Sequence, residues 1–213
     1  MDKKLTIVVP YRNREEHLFV FTKEMNKFLE NLSYDIVIVE QYDEKLFNRA
    51  KLLNVGFDFK KDTSDYFCFH DIDMIPTNAD YSYPDKPYHM ATNVSQFGGN
   101  VAYPTYYGGV NLFNKEDFIK INGYSNDFWG WGGEDDDILN RVKKNGFDLY
   151  RRTGHYNSLR HIPNGPNHSN YTNNVKKLSE NYDYKSDGLT TLNYELVGVD
   201  QLNDFCQLIK VKI

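Results

Sequence analysis

Short apolar runs punctuate the first third of the chain and predict buried strands. Residues 5–9 form a β-branched run that we expect to stop at Pro10, which cannot donate a backbone hydrogen bond. Residues 35–40 and 66–70 are two further runs of strand length. Between them, apolar residues recur at helical spacing, which predicts helices over residues 14–32 and 46–57, the second ending near Gly56.

Strands that alternate with helices predict an α/β fold with a mostly parallel, Rossmann-like sheet flanked by helices. Ligands of such sheets bind beyond the carboxyl ends of the strands, where residues 10–14, 40–42 and 71–73 would lie. No segment has the composition of a linker, so we expect a single domain over residues 1–213.

The second half of the chain is less regular. It predicts loops with short strands over residues 81–107, a short helix capped by Asn114 to about residue 122, a helix over residues 134–144, a mobile loop over residues 163–174, and a closing hairpin over residues 192–213.

The composition excludes several classes of protein. The chain has 25 Lys and Arg against 30 Asp and Glu, a net charge of −5, which argues against a nucleic-acid partner. No apolar run reaches the roughly 18–20 residues that span a bilayer, so we expect no transmembrane segment. The two cysteines, Cys68 and Cys206, form no disulfide framework and indicate a reduced, cytoplasmic protein, with a peripheral position at the inner membrane face left open.

Two carboxylates follow the third predicted strand, at Asp71 and Asp73. Both can reach one divalent cation, and Mg²⁺ and Mn²⁺ prefer such oxygen ligands. A solvated start of a loop is the alternative. Among the histidines, His155, His161 and His168 follow the acidic residues 134–137 and are candidates for a further metal ligand.

A second acidic segment, WGWGGEDDD over residues 129–137, combines two tryptophans with four adjacent carboxylates. Acidic residues complement a helix N-terminus, but that role explains one or two of them, and four repel each other. Indole rings beside carboxylates suit a sugar, whose C–H face packs on the ring. A carboxylate at the helix N-terminus is expected to keep a low pKa and to accept a proton at pH 7.

The segment PYRNR over residues 10–14 has two arginines and an aromatic ring between the first strand and helix. These side chains could hold a pyrophosphate and stack on a base. Solvated arginines at the start of a helix are the alternative.

These segments together resemble one family, the β-1,4-galactosyltransferases, which are inverting enzymes with a GT-A fold. The resemblance rests on five motifs in the family's order and spacing: VVPYRNREEHL (8–18), FNRAKLLNVGF (47–57), DIDMIP (71–76), YYGGVNLFNKEDFIKINGYSNDFWGWGGEDDDILNRV (106–142) and SDGLTTLNYELVGV (186–199). It implies a nucleotide-binding half over about residues 1–80 and a donor-sugar and acceptor half over about residues 81–213.

The resemblance also implies roles for single residues. Asp135 matches the general base, and Asp73 and His161 match ligands of Mn²⁺. The donor would be bound by Pro10, Tyr11, Arg12, Arg14, Arg49, Asp71, Ile72, Gly109, Trp131 and Glu134. The acceptor would be bound by Tyr106, Tyr107, Trp131 and Asp136.

Tyr106 matches the position that selects the donor, where a bulky ring crowds an N-acetyl group and favours UDP-galactose. The chain departs from the family at Ser158 and Pro163, where a second metal ligand is usual, so the third ligand stays open between His155, His168 and water. Gln96 stands where many members have a Lys near the phosphates.

The implied function is transfer of galactose from UDP-galactose with Mn²⁺ to a sugar hydroxyl, with a β-1,4 linkage, in glycan or surface polysaccharide synthesis. The acceptor would be a free sugar, a lipid-linked sugar or the end of a glycan. An N-acetylgalactosaminyltransferase on the same fold and a nucleotide-sugar hydrolase are the alternatives.

Overall fold

The computed structural model describes residues 3–160, 170–179 and 183–213. Its strands are β1 (Leu5–Tyr11), β2 (Tyr34–Gln41), β3 (Tyr66–His70), β4 (Met74–Ala79), β5 (Tyr88–His89), β6 (Asn93–Val94), β7 (Val110–Asn114), β8 (Gly154–Ser158), β9 (Glu195–Asn203) and β10 (Cys206–Lys212). Its α-helices are α1 (Glu15–Phe28), α2 (Arg49–Lys60), α3 (Lys115–Lys120), α4 (Glu134–Lys144) and α5 (Tyr171–Ser179).

The main sheet has seven strands in the order β5-β7-β3-β1-β2-β10-β9. Its centre, β3-β1-β2-β10, is parallel as predicted, whereas β7, β5 and β9 join antiparallel at the edges, so the sheet is mixed. The closing hairpin is confirmed as β9 and β10, and β10 lies between β2 and β9. A second sheet, β4-β8-β6, was not predicted.

Strand β1 continues through Pro10 to Tyr11, so the predicted stop at Pro10 is wrong. Pairing between β1 and β3 ends at Val8 and Phe69, whereas pairing between β1 and β2 continues to Tyr11. Pro10 therefore lies where β1 has a single neighbour, which is the position that a sheet allows proline.

The main sheet carries a hydrophobic core on each face because strand residues alternate sides. From β1, Leu5, Ile7 and Val9 pack with Phe21 and Met25 of α1. Val8 faces the other side, where its cluster includes residues from α2, α3 and α4. This layering of helices on both faces leaves the carboxyl ends of the strands open for a site.

Helix α2 runs past Gly56 to Lys60, so the prediction that Gly56 ends the helix is wrong. Glycine is required here by packing: a Cβ on Gly56 would lie 2.2 Å from Cγ1 of Val8 and 3.0 Å from Cγ2 of Val39. The residue lets α2 lie directly on the sheet, which brings the N-terminus of the helix, at Arg49, to the ends of the strands.

Replacing Gly56 with Ala should lower the free energy of unfolding. We expect a loss of about 1–2 kcal/mol, because the overpacking against buried Val8 exceeds the gain in helix propensity. Thermal unfolding should show a midpoint about 3–6 °C lower. The control is Gly198→Ala in β9, where a Cβ meets nothing within 4 Å; equal shifts in both variants would contradict the packing argument.

The other helices differ from the prediction mainly at their ends. Helix α1 ends at Phe28, four residues before the predicted end, and Asn114 caps α3 by accepting from the Asp117 N–H. The predicted mobile loop lies outside the described residues over 163–169, and its last residues are helical from Tyr171. None of the helices in the described ranges combines the length and the apolarity that crossing a bilayer requires.

Arg141, buried in the core, joins helix α4 to the segment around Asp187. Its side chain is 1% exposed and bonds to Asp137 Oδ2 at 2.7 Å and to the Asp187 carbonyl at 2.8 Å. Asp187 in turn accepts from the Asn126 N–H. Residues 183–191 are thereby tied to α4, which supports the segment that leads into Glu134.

Candidate active site

Four elements meet at one end of the main sheet. The ends of β1 and β3 contribute residues 10–14 and 71–73, and the N-termini of α2 and α4 contribute Arg49 and residues 134–136. The structure therefore brings together residues that the sequence analysis named at four distant places in the chain.

Arg49 is the centre of this cluster. Its Nε donates to Asp71 Oδ1 at 2.6 Å, and its Nη1 donates to Asp135 Oδ1 at 3.0 Å and lies 3.9 Å from Glu134 Oε1. Although burial opposes it, Asp71 and Asp135 raise the pKa of the guanidinium. Arg49 Nη2 and Glu134 Oε2 are buried without a hydrogen-bond partner among the described residues. Two buried polar groups without hydrogen-bond partners, side by side, are the sign of a site built for a polar ligand.

Asp73, the second acidic residue of the turn after β3, pairs with a different arginine, Arg14. Asp73 Oδ2 accepts from Arg14 Nη1 at 3.3 Å, and Asp71 is oriented by its N–H, which donates to the Gly109 carbonyl at 2.9 Å. Burial and the neighbouring Asp71 raise the pKa of Asp73. The turn thus holds two carboxylates close enough to repel each other.

Burial, not the helix N-terminus, dominates the carboxylates that open α4. It raises the pKa of Asp135 to about 6 and that of Glu134 to about 8, against the stabilising charge of Arg49. The low pKa expected from the helix position is therefore wrong. Asp135 is still mostly ionised at pH 7, as a general base must be.

The loop after β1 lies against residues 45–47. The Arg12 guanidinium lies 5.2 Å from the centre of the Phe47 ring and donates to the Lys45 carbonyl at 2.8 Å. Tyr11 is buried within the core, together with Pro10 at the end of β1. An aromatic ring beside an arginine can stack on a planar base. Phe47 was not singled out from the sequence, although it stands in a matched motif.

The segment from Tyr106 to Gly109 forms another wall of the site. A Cβ on Gly108 would lie 2.4 Å from Asp135 Oδ2 and 2.7 Å from the Tyr106 ring. Both side chains therefore pack closely against this glycine. Gly109 has φ +80°, a conformation that glycine adopts without strain. Tyr107 is 1% exposed and stacks on His89, so its position does not support the predicted contact with an acceptor.

On the acceptor side, Trp131 is 54% exposed and its ring lies 5.1 Å from that of Tyr171 in α5. Asp136 is half-buried at the start of α4. Asn174 of α5 donates to the Trp131 carbonyl at 3.3 Å, which anchors α5 on the tryptophan segment. An exposed indole gives a surface on which a sugar ring can pack.

The predicted metal ligands are only partly described. His161 and His168 lie outside the described residues. Ser158 pairs with Met74, so His155, three residues along β8, lies about 10 Å further from Asp73. Ile72 has its side chain in the core. Within the described ranges, no three His, Cys, Asp or Glu side chains form a metal cluster, but Asp71 and Asp73 supply the hard oxygen ligands and mutual repulsion that suit Mn²⁺.

Two side chains that hold the Tyr106 segment were not singled out from the sequence. His89 Nε2 bonds to the Gly108 carbonyl at 2.9 Å, and Arg151 Nη2 donates to the Pro104 carbonyl at 2.8 Å. Neither residue stands in a motif or a charge pattern, so no sequence signal pointed to them.

Family models match most of the chain. The model described as the N-terminal region of glycosyl transferase group 7 matches residues 1–84, and the N-terminal domain of galactosyltransferase matches residues 88–162. Among curated proteins, beta-1,4-galactosyltransferase 4 of Mus musculus is 38% identical over 208 residues, or 93% of this chain and 60% of that protein. Beta-1,4-galactosyltransferase 1 of Homo sapiens is 36% identical over 96% of this chain and 54% of that protein. The chain thus spans little more than half the length of these relatives.

Solved structures agree with the sequence matches. The catalytic domain of Drosophila beta1,4galactosyltransferase 7 in complex with xylobiose superposes with a TM-score of 0.83 at 28% identity, covering 99% of this chain and 94% of that one. A mutant of the same enzyme in complex with manganese, UDP-Gal and xylobiose superposes with a TM-score of 0.82 at 31% identity, with the same coverage.

Proposed function

Because the chain belongs to the β-1,4-galactosyltransferase family, we propose that it transfers galactose from UDP-galactose to a sugar hydroxyl, with inversion at the anomeric carbon. One observation carries the proposal: Asp71, Glu134 and Asp135 converge on a single buried arginine, with Arg49 Nη2 and Glu134 Oε2 left without partners. This arrangement can bind a polar donor sugar and keep a carboxylate beside it.

Asp135 is the base in this proposal. Its carboxylate would take the proton of the acceptor hydroxyl while the hydroxyl oxygen bonds to the anomeric carbon from the face opposite UDP. The bond from that carbon to UDP breaks, and UDP leaves with the electron pair. Arg49 Nη1 holds Asp135 Oδ1 at 3.0 Å, so the other oxygen, beside Gly108, would be the one that takes the proton. Proton removal by a positioned base contributes about 10²–10⁴-fold to such reactions.

Mn²⁺ is the proposed cofactor, held by Asp73 with His161. When bound, the ion would supply positive charge opposite the diphosphate of the departing UDP. Arg14 now pairs with Asp73, so this guanidinium stands where it can contact the diphosphate as well. The position of His155 along β8 disfavours it as the third ligand, which leaves His168 or water.

The remaining roles follow from position. Arg12 and Phe47 suit the uracil ring together with Pro10 and Tyr11. Gly109, Trp131 and Glu134 belong to the galactose side of the proposal, where Ile72 would contribute only its backbone because its side chain lies in the core. Tyr106 and Asp136 would contact the acceptor.

The two halves at about residues 1–80 and 81–213 stay part of the proposal, supported by family matches that meet at residues 84–88. A cytoplasmic location also stays proposed, supported by the free, buried Cys68 and Cys206.

The proposal is tested by measuring UDP release from UDP-galactose with Mn²⁺ against free and lipid-linked sugars, with a control that lacks acceptor. Stimulation by one acceptor, with a β-linked product, is the expected result. UDP release that is fastest without an acceptor would instead identify a nucleotide-sugar hydrolase. A chain that uses only UDP-N-acetylgalactosamine would overturn the choice of donor.

Replacing Tyr106 with Leu should widen the donor range. The ring is held edge-on against His89 and Phe97, with centroids 5.3 and 5.7 Å away, and removing it opens space for an N-acetyl group. We expect kcat/KM for UDP-N-acetylgalactosamine to rise at least tenfold relative to UDP-galactose, since about 1.4 kcal/mol of relieved crowding gives this factor. Measuring both donors with one acceptor checks this, and an unchanged ratio would remove the reason for choosing galactose.

The rate should fall in acid because Asp135 must be ionised to act as the base. Burial raises its pKa to about 6, so the carboxylate is present above this pH and lost below it. We expect kcat/KM at saturating Mn²⁺ to drop about tenfold for each pH unit below 6. The residual rate of Asp135→Asn should lack this limb, and a flat profile between pH 5 and 7 would contradict the assignment.

A further inference from the structure

The segment that carries Tyr106, residues 104–108, is held by side chains from elsewhere in the chain. It belongs to no helix or strand, yet its carbonyl groups accept several side-chain hydrogen bonds. Arg151 donates from Nη2 to the Pro104 carbonyl at 2.8 Å and from Nη1 to the Tyr106 carbonyl at 3.2 Å. Asn111 donates to the Tyr107 carbonyl at 2.8 Å. The planar fork of arginine is what allows one side chain to span two carbonyls of the segment.

His89 continues the line of hydrogen bonds to Gly108. Arg151 Nη1 also bonds to His89 Nδ1, and a guanidinium only donates, so Nδ1 is the acceptor and the ring proton lies on Nε2. That Nε2–H then donates to the Gly108 carbonyl at 2.9 Å. Burial lowers the pKa of His89 to about 3, so the ring stays neutral and keeps this tautomer. Arg151 and His89 thus hold the segment at both ends by hydrogen bonds, to Pro104 and to Gly108.

These hydrogen bonds affect two residues of the site, Tyr106 within the segment and Asp135 beside Gly108. The Tyr106 ring packs edge-on against His89, with centroids 5.3 Å apart and planes at 85°. At the other end, Gly108 lies so close to Asp135 and to Tyr106 that even a methyl group would clash with both. Gly108, the Tyr106 ring and Asp135 are in close contact. A displacement of the backbone of residues 104–108 would therefore move the Tyr106 ring, which faces the donor in this proposal.

We propose that Arg151 and His89 are positioning residues that fix Tyr106 and thereby set the choice between galactose and N-acetylgalactosamine. The inference rests on the proposed function, because it concerns the donor wall of the same site. Neither side chain needs to touch the donor. Their effect is to keep the Tyr106 ring in the space that an N-acetyl group would occupy.

The test compares Arg151→Lys with a matched control, Arg152→Lys. Lysine keeps the positive charge but cannot span the Pro104 and Tyr106 carbonyls. Arg152 is the adjacent residue, but it donates to the Ser82 carbonyl at 2.6 Å and lies over the Tyr88 ring, away from the segment. We expect Arg151→Lys to raise the kcat/KM ratio of UDP-N-acetylgalactosamine over UDP-galactose about tenfold, the effect of losing one charged hydrogen bond. UDP affinity should change less than twofold in both variants.

A second variant keeps the test decisive if Arg151→Lys does not fold, as judged by its thermal midpoint. His89→Gln removes the ring that supports Tyr106 while retaining an amide that can donate to Gly108, and it should raise the same ratio several-fold. An unchanged ratio in a folded variant, or equal changes in Arg151→Lys and Arg152→Lys, would overturn the inference. If Tyr106→Leu still changes the ratio in that case, the proposed function stands. If the unaltered chain uses neither donor with any acceptor, the proposed function fails, and this inference fails with it.

Discussion

Replacing Asp135 with Asn is expected to slow galactose transfer by about 10³–10⁴-fold, toward the upper end of what a general base contributes. Asparagine has nearly the same shape and can still contact Arg49, but its amide cannot accept the proton of the acceptor hydroxyl at neutral pH. UDP affinity, measured by calorimetry with Mn²⁺, should stay within a few-fold, because the hydrogen bond between Arg49 and Asp71 is not altered.

The matched control is Asp127→Asn, eight residues before Asp135 in the chain. Asp127 is an exposed carboxylate that pairs with Lys177. This variant should transfer galactose at the unaltered rate. If Asp135→Asn instead loses UDP affinity in proportion to its rate, Asp135 would be a donor ligand. The base would then have to be sought among the other carboxylates at the start of α4.

Arg49→Met is expected to have the largest effect on stability together with a loss of activity. It leaves Asp71, Glu134 and Asp135 close together and without their shared cation, at sites where each is only 11–28% exposed. Removing one partner of a buried ion pair costs several kcal/mol. Partial exposure reduces this here, so we expect about 2–3 kcal/mol, or a thermal midpoint about 5–10 °C lower.

The pH profile distinguishes the two roles of Arg49. Its charge opposes the rise in the Asp135 pKa that burial causes, so without it the acid limb should move to a pH above 6. Arg49→Lys is the matched variant, because it keeps the charge but lacks the planar fork that donates to Asp71 from Nε and to Asp135 from Nη1. A rate loss in Arg49→Met with no movement of the acid limb would mean that Arg49 serves the donor alone.

The sequence allowed prediction of those parts of the fold that short patterns determine. Apolar runs located β1, β2 and β3, and the acidic run located the start of α4 at Glu134. Gly56 shows the limit of this reasoning, since a glycine within a helical pattern predicts an end when nothing reveals a neighbouring strand. Only the closeness of Val8 explains why the helix continues through it.

The site was predictable where motifs carry it and not where tertiary contacts do. Asp71, Arg49 and Asp135 stand in recognisable segments, and the structure joins them. Their electrostatics could not be predicted, because the raised pKa of Asp135 comes from burial that arises only when α2 and β3 close around it. The grip of Arg151 on residues 104–108 spans more than 40 positions in the chain, and no local pattern encodes such a contact.

The place of β10 in the sheet has a consequence for synthesis on the ribosome. Strand β10 pairs with β2, yet it is translated about 165 residues later. At rates of about 5–20 residues per second, the open edge of β2 waits roughly 8–33 s for its neighbour. During that time Ile36, Val37, Ile38 and Val39, all fully buried in the finished protein, border an incomplete sheet. The nascent chain therefore offers chaperones a long-lived apolar target, and the parallel centre of the sheet can close only after β10 has been translated.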